Sequence, residues 1–447
     1  MSKLKLLNQT LIGLFIFLLP WQTVYIFNAR LLDGVKWQYG SGLLFATELL
    51  FWLIAIIQLL VINQDGKLKK PYLKFDRTKL ITVISFWLLL AWSGLSLLWA
   101  SEKSAGYYNW FYLLQSAGLF FILLISTIDK KRIYLSLTLA GVLQALLAIW
   151  QFFSQSIEPD KWLGIAGHLP WETGTIIIES SGRWLRAYGS FAHPNVLGGF
   201  LVVCFFATII PACLINGKRN TPWRIIAALL ISAGIFFSFS RSAWLALIIG
   251  MIVIFIREII SAKKSAEPVS VKYRNLIKYF FAPLVLVAVL VIIYRPLVFT
   301  RTSTTDHLEN WSVTDRLDYL AQAKSMIGSH WLLGVGEGNY TYNLYQNNAA
   351  KTPWHYQPVH NIFMLIFAEL GIVGLIIFLI FLISLFLNFR IICRREKDYS
   401  HVDNIVFLTT ILIIGCFDHY LWTSYVGAMV LFICFALLVK KDYSGSV

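Results

Sequence analysis

The chain has 447 residues, 58% of them hydrophobic and only 14% charged, against roughly 25% charged in an ordinary soluble domain. With 16% aromatic residues and a mean hydropathy of +0.68, it carries more apolar surface than a water-soluble core can hide. This excludes a soluble enzyme and a disordered tail protein. The net charge of +15 would suit a nucleic-acid binder, but the cations lie between apolar runs, where they report topology and attraction to anionic lipid. No nucleic-acid partner is expected.

A helix spans the hydrocarbon with about 20 apolar residues. In chain order, the apolar runs predict about twelve spans, at 7–27, 43–62, 80–98, 110–128, 133–153, 196–215, 225–239, 243–260, 279–295, 361–387, 404–418 and 424–439. The fold class is an all-α polytopic membrane protein, with 1–447 as one membrane domain. The first run follows Met-Ser-Lys-Leu-Lys and has no A-x-A-like cleavage site after it, so it reads as an uncleaved helix. The seventh, eleventh and twelfth runs are short, as expected beside a water-filled cavity. Glu48 and Glu369 are the carboxylates well inside spans. Of the five cysteines, Cys204, Cys213, Cys416 and Cys434 lie in or at the ends of apolar runs and Cys393 in a basic loop. None has C-x-x-C spacing, so they read as small core residues rather than a disulfide or zinc framework.

Lysine and arginine placement orients the chain. With odd spans running outward, every short inner loop is basic and both termini are cytoplasmic. Twelve cations remain outside: Arg30, Lys36, Lys103, Lys161, Arg183, Arg186, Arg241, Arg295, Arg301, Arg316, Lys324 and Lys351. Histidine is skewed the same way, with His168, His193, His307, His330, His355, His360 and His419 outside and His401 inside. Chemistry is therefore expected on the outer face. Two outer segments exceed simple turns, a first at 154–195 and a larger loop at 296–360. The larger one contains an amphipathic helix, with Ser312 and Asp315 as a capping box and Val313, Leu317, Leu320 and Ile327 sharing a face. It should end at Gly328, before a turn-rich stretch with Gly334, Gly336 and Gly338. No strand precedes that stretch, so it is not a dinucleotide fingerprint.

Four constellations could carry chemistry. Arg186-Ala-Tyr-Gly-Ser-Phe-Ala-His193-Pro194-Asn195 leads into the sixth span; it reads equally as an anion-facing group or as an interfacial anchor with a helix start at Pro194. Ser240-Arg241-Ser242 is wedged between apolar runs, where a guanidinium must meet an anion, water or the headgroup layer. Asp315-Arg316 could bind phosphate or be a surface pair. Pro358-Val359-His360-Asn361 enters the tenth span, followed by Glu369 and Gly371; His360 can take a proton near neutral pH or merely cap the helix. Glu158-Pro-Asp160 and Asp418-His419 are weaker, the first as a carboxylate pair for a metal, the second as polar lining of the same cavity. Outer arginines, a histidine and lipid-facing spans together fit transfer of a glycan from a polyprenyl pyrophosphate. The arginines would receive the departing charge and a base would deprotonate the acceptor hydroxyl.

These motifs in this order, with Leu-Leu-Gly-Val-Gly-Glu-Gly-Asn-Tyr340 and Glu369-Leu-Gly-Ile-Val-Gly, resemble the O-antigen ligase and polymerase superfamily over residues 180–385. The resemblance implies a C-type glycosyltransferase-like membrane fold in the cytoplasmic membrane. It also implies inverting, metal-independent transfer from undecaprenyl pyrophosphate on the extracytoplasmic face, with no cofactor. It implies His360 as base, Arg241, Arg316 and, more loosely, Arg186 as pyrophosphate ligands, and His193, Asn195, Tyr340, Asn361 and Glu369 as supporting residues. The donor would be a lipid-linked oligosaccharide or polysaccharide and the acceptor a glycan, lipid or protein, so ligase, repeat-unit polymerase and protein O-oligosaccharyltransferase stay open. A transporter or flippase of lipid-linked sugars, or a non-catalytic envelope scaffold, are the alternatives from other classes. A transporter would place ionisable groups near the midplane on broken helices.

Overall fold

The computed structural model describes residues 2–64, 77–180, 182–214, 222–262, 269–303, 307–348, 352–396 and 404–440. Lys67, Lys69, Lys70, Lys74, Lys218, Arg219, Lys263, Lys264, Lys351, Lys397, His401 and Lys441, which enter the charge-based topology, lie outside the described residues.

The chain is mostly helical. Helix α1 (Lys3–Leu18) stops just ahead of Pro20, whose nitrogen has no hydrogen to continue the ladder. The first span predicted at 7–27 is thus corrected: its last third is extended chain. Strands β1 (Val24–Asn28), β2 (Leu31–Leu32), β3 (Val35–Lys36) and β4 (Gly42–Phe45) follow, β1 pairing with β4 and β2 with β3, all antiparallel. Helices α2 (Ala46–Gln64), α3 (Arg77–Ser96), α4 (Lys103–Ile125) and α5 (Lys130–Ser154) lead to a third small hairpin, β5 (Ile177–Glu179) with β6 (Arg183–Leu185). An all-α reading is therefore too strict, because the described residues include three two-stranded sheets beside the helices. Then come α6 (Pro194–Leu214), α7 (Pro222–Phe237), α8 (Arg241–Ala262), α9 (Val269–Ile293), α10 (Arg295–Thr302), α11 (His307–His330), α12 (Tyr340–Asn347), α13 (Ile362–Glu396), α14 (Ile405–Phe417), α15 (Tyr420–Thr423) and α16 (Tyr425–Val439).

Among the described residues six helices are long and apolar enough to cross a membrane: α2, α3, α4, α5, most of α6 and most of α13. A seventh is added if α9 and the bent segment after it form one span. The expected count of twelve is not reached by this measure. Helices α7, α14 and α16 are apolar but have only 16, 13 and 15 residues. Helix α16 is buried along nearly its whole length, so protein rather than lipid surrounds it and bilayer thickness does not dictate its length. The centre of the bundle is α6: 94% of its apolar window is buried, against 33% for α3. Helices α5, α7, α8 and α14 pack around it, α4 runs along α16, and α3 along α13. Cys204 and Cys434 are buried as expected, whereas Cys416 is exposed and Cys393 lies within α13 rather than in a loop.

Two buried charged groups of the bundle, Glu48 and Lys440, have partners. Glu48 accepts from the backbone of Phe45 (2.8 Å) and from Gln115 (2.7 Å), and Lys440 donates to the last carbonyls of α4 at Leu123 (2.6 Å) and beside it at Ser126 (3.2 Å). Helix α13 is interrupted at Gly371, where φ is 67° and ψ −174°. The break frees backbone groups that a bilayer could not satisfy. The glycine-rich stretch 331–339 supplies them: Val335 N donates to Ala368 O (2.9 Å), Gly336 N to Glu369 O (2.8 Å), and Ile372 N to Trp331 O (2.8 Å). Gly334, Gly336 and Gly338 all have positive φ, and a Cβ on Gly334 would lie 2.3 Å from Glu369 backbone. The stretch brings Glu337 in with it. The Glu337 carboxylate accepts from Ser93 of α3 (2.8 Å) and its N–H donates to Ser96 (2.9 Å). Glu369 accepts from the backbone N–H of Tyr340 (3.3 Å).

Two outcomes are expected from this docking. Gly371→Ala puts a Cβ 2.1 Å from the Leu332 carbonyl on a backbone that costs a non-glycine residue about 1–3 kcal/mol; the detergent-solubilised protein should melt several degrees lower, and an unchanged melting curve would refute the docking. Burial pushes the Glu337 carboxyl up to about 7 despite its bond from Ser93. The protonated form is thus favoured by folding, so the stabilisation is complete below about 4.5 and is lost as pH rises through about 7. Thermal stability should fall between pH 5 and 8, and Glu337→Gln should flatten that slope.

Candidate active site

The site forms where α7 turns into α8 against the start of α6 and the 296–360 segment. The turn has a non-glycine residue in the left-handed region, Phe239 at φ 47°. This aims two successive carbonyls at two guanidiniums. Ser238 O accepts from Arg186 Nε (2.8 Å), and Phe239 O accepts from Nε (3.3 Å) and a terminal nitrogen (3.2 Å) of Arg301. Arg186 and Arg301 are buried, as is Glu309. Glu309 pairs with Arg301 through one carboxylate oxygen and with Arg241 through the other at 3.4 Å. Arg241, the first residue of α8, also donates to Ser312 (3.4 Å), and its Nε is buried with no partner.

Arg316 joins the group from α11, close to Asp418, Arg301 and Glu309. Ser312 lies inside α11, which starts at His307 and runs on to His330, so the expected capping box and the stop at Gly328 are both corrected. Leu317 is exposed, and the stripe facing the protein is instead Arg316, Tyr319, Leu320, Ala323, Met326 and Ile327. That stripe keeps helical spacing but carries an arginine and a tyrosine where an apolar pattern would look for hydrophobes.

His360 stacks on Tyr319, ring centroids 5.7 Å apart and 9° from parallel, and meets His419 edge-on at 5.1 Å and 83°. Asp418 and His419 lie just past the end of α14. The Asp418 carboxylate accepts from Asn195 (2.8 Å), which in turn accepts from Arg186 (2.8 Å). This chain joins the guanidinium group to the histidine group. His193 accepts from the Asn195 backbone at its Nδ1 (3.0 Å), and Tyr39 meets His419 edge-on at 6.2 Å.

Electrostatics divide the site. Burial, with Arg301 beside it, pushes the Arg186 guanidinium down from its ordinary value, as expected where like charges crowd. Burial pushes His360 below its usual 6.5, with Asp418 opposing, so the imidazole is neutral at pH 7. For Asp418, burial opposes the charge, but His360, His419, His193 and the Asn195 bond together outweigh it and hold the carboxyl below the usual range. The arrangement places a multivalent cationic patch next to a neutral imidazole backed by a carboxylate. Arg241, Arg316 and His360 are each partly exposed, while Arg186, Arg301, Glu309 and Asp418 behind them are buried.

Of the sequence-derived residues, His360, Arg241, Arg316, Arg186, His193 and Asn195 come together. Asn361 caps α13, accepting from the N–H groups of Phe363 and Met364 (both 3.0 Å), and donates to Cys416 O (3.1 Å). Tyr340 reaches the group indirectly, its hydroxyl donating to the backbone of Tyr319 (3.4 Å). Glu369 stays with Glu337 at the helix break. Arg30 is spent on Glu102 (2.8 Å), and His168 stacks on Tyr188 at 4.2 Å. Asp160 accepts from the N–H groups of Trp162 (2.8 Å) and Leu163 (3.0 Å), and Glu158 from Ser156 (3.0 Å), so both serve their own turn. Sequence reasoning missed the pairing of Arg301 with Glu309, and underrated Asp418-His419. The signal for the latter was two ionisable residues between two short apolar runs.

Comparison with curated proteins finds no match. Residues 226–379 match the family described as O-antigen ligase, a span that contains Arg241, Arg301, Glu309, Arg316 and His360. This match over residues 226–379 supports membership in the O-antigen ligase and polymerase superfamily.

Proposed function

We propose that this protein is an inverting, metal-independent glycan transferase of the O-antigen ligase kind. It would act on the outer face of the cytoplasmic membrane, with both termini cytoplasmic. The donor is a lipid-linked oligosaccharide or polysaccharide on undecaprenyl pyrophosphate, and the acceptor hydroxyl belongs to a glycan, lipid or protein. The observation that carries this reading is the hydrogen-bonded path from Arg186 through Asn195 to Asp418, beside His360. On this reading a patch that would receive charge lies beside a group that would accept a proton.

The acceptor oxygen attacks the sugar carbon from the side opposite the phosphate. The new C–O bond forms as the bond to the pyrophosphate oxygen breaks, the configuration inverts, the acceptor proton passes to His360, and undecaprenyl pyrophosphate leaves with the electron pair. Arg241 and Arg316 receive the charge that develops on the leaving oxygens, and buried Arg186 adds its positive field from behind them. Arginine suits this because its fork bonds two phosphate oxygens at once. Glu309 is exchangeable on the Arg241 side, where its contact is 3.4 Å, and a diphosphate competes for that guanidinium. Asp418 acts as a positioning residue that steadies the imidazolium formed on His360. A transporter is less well supported, because Glu48 is fully engaged by Phe45 and Gln115 and Glu369 by the docked loop.

The test uses purified protein in detergent with a lipid-pyrophosphate glycan and candidate acceptors, with and without EDTA. His360→Ala should lower turnover by about 10²- to 10⁴-fold with the melting temperature kept, and EDTA should have no effect. Unchanged turnover in that variant would remove the base, and loss on chelation would remove metal independence. Arg241→Lys should cost about tenfold or more although the charge is kept; equal activity would mean that Arg241 merely reaches for the headgroups.

A further inference from the structure

We propose that His360, Asp418 and His419 bind a divalent transition-metal ion of the zinc type, and that the bound ion blocks glycan transfer. The block, unlike the binding, rests on the base role given to His360. One ligand atom from each, two imidazole nitrogens and a carboxylate oxygen, lie within 4.8 Å of one another. Zinc with three such ligands and an open fourth position is a stable arrangement, and its bond lengths place ligand atoms about 3.3 Å apart. The trio therefore has to close by about 1.5 Å at most.

The surroundings are built for coordination. The two imidazoles stand nearly perpendicular, so their nitrogens approach a common point from different directions. His419 Nδ1 is bonded to the Thr423 hydroxyl at 2.8 Å, which fixes the ring and leaves Nε2 for a metal. Asp418 is buried and held by the Asn195 amide (2.8 Å) and the His419 N–H (2.9 Å), each taking one oxygen and leaving lone pairs over. His360 Nδ1 is buried with no hydrogen-bond partner, as fits a ligand nitrogen. Arg316 lies close to His360 and Asp418 and weakens the hold on a cation, so the ion should be removable by chelator. A metal on His360 takes the lone pair that would accept the acceptor proton.

The full chain in detergent, stripped with EDTA and dialysed, is titrated with Zn²⁺ and separately with Co²⁺. One Zn²⁺ per chain should be retained by metal analysis, and Co²⁺ should give the intense visible bands of a low-coordinate nitrogen–oxygen site. Saturating Zn²⁺ should lower turnover at least tenfold, and EDTA should restore it. His419→Ala should lose both the retained ion and the inhibition, read as the ratio of turnover with and without Zn²⁺ so that its own basal rate cancels. Asp418→Asn, which keeps the shape, should weaken retention if His419→Ala fails to fold. Absence of stoichiometric binding, or retention indifferent to both substitutions, overturns the site. Retention with unchanged or raised turnover overturns the inhibition. The base role is judged separately, by His360→Ala assayed without metal.

Discussion

Bringing Arg186, Arg241, Arg301 and Arg316 together beside a bilayer is costly, because like charges repel strongly where water is scarce. The surrounding structure compensates in specific ways. Two carbonyls of the α7–α8 turn hold Arg186 and Arg301 from behind, and Glu309 sits between Arg301 and Arg241. What is left over is positive charge on the partly exposed members, Arg241 and Arg316, together with a buried Arg241 N–H that has no partner. A patch in this condition gains most from an anion that carries several charges and presents paired oxygens.

The same arrangement explains why residues so distant in sequence meet. Asn195 occupies the first turn of α6, the most enclosed helix, and from there touches both Arg186 and Asp418. Asn361 ties the start of α13 to the end of α14, which sets His360 over His419. The Asn195, Asp418 and His360 part of the assembly thus inherits its position from two helix starts that the apolar core already fixes, while Arg301, Glu309 and Arg316 arrive on α10 and α11 of the 296–360 segment.

Much of this was legible in the sequence. Apolar runs located the helices, and Pro194 and Asn195 marked the α6 start, which the structure places at Pro194. The isolation of Arg241 between two apolar stretches pointed to a guanidinium with work to do. Other features were hidden for physical reasons. The strands near Val24–Asn28 are as apolar as a span, and hydropathy cannot separate an extended segment from a helix. The inward stripe of α11 includes Arg316 and Tyr319, so an amphipathicity argument selected Leu317, which faces outward. Arg301 and Glu309 are eight residues apart across a helix boundary, and no local pattern announces that they will pair. Glu337 gave no sign that it would accompany the glycine stretch into the bundle, since that depends on backbone bonds made to a break in another helix.

Phe239 bears two unrelated demands at once. Its left-handed backbone, which costs an ordinary residue about 1–2 kcal/mol, is what turns the carbonyls of residues 238 and 239 toward the arginines, while its ring is packed among Phe152, Phe236 and Trp244. Glycine or asparagine would relieve the handedness and empty the aromatic cluster; leucine or isoleucine would fill volume and keep the strain. Evolution at this position is therefore boxed in from both sides, and drift in the cluster that grips the ring would be felt as a misdirected peptide plane several ångströms away.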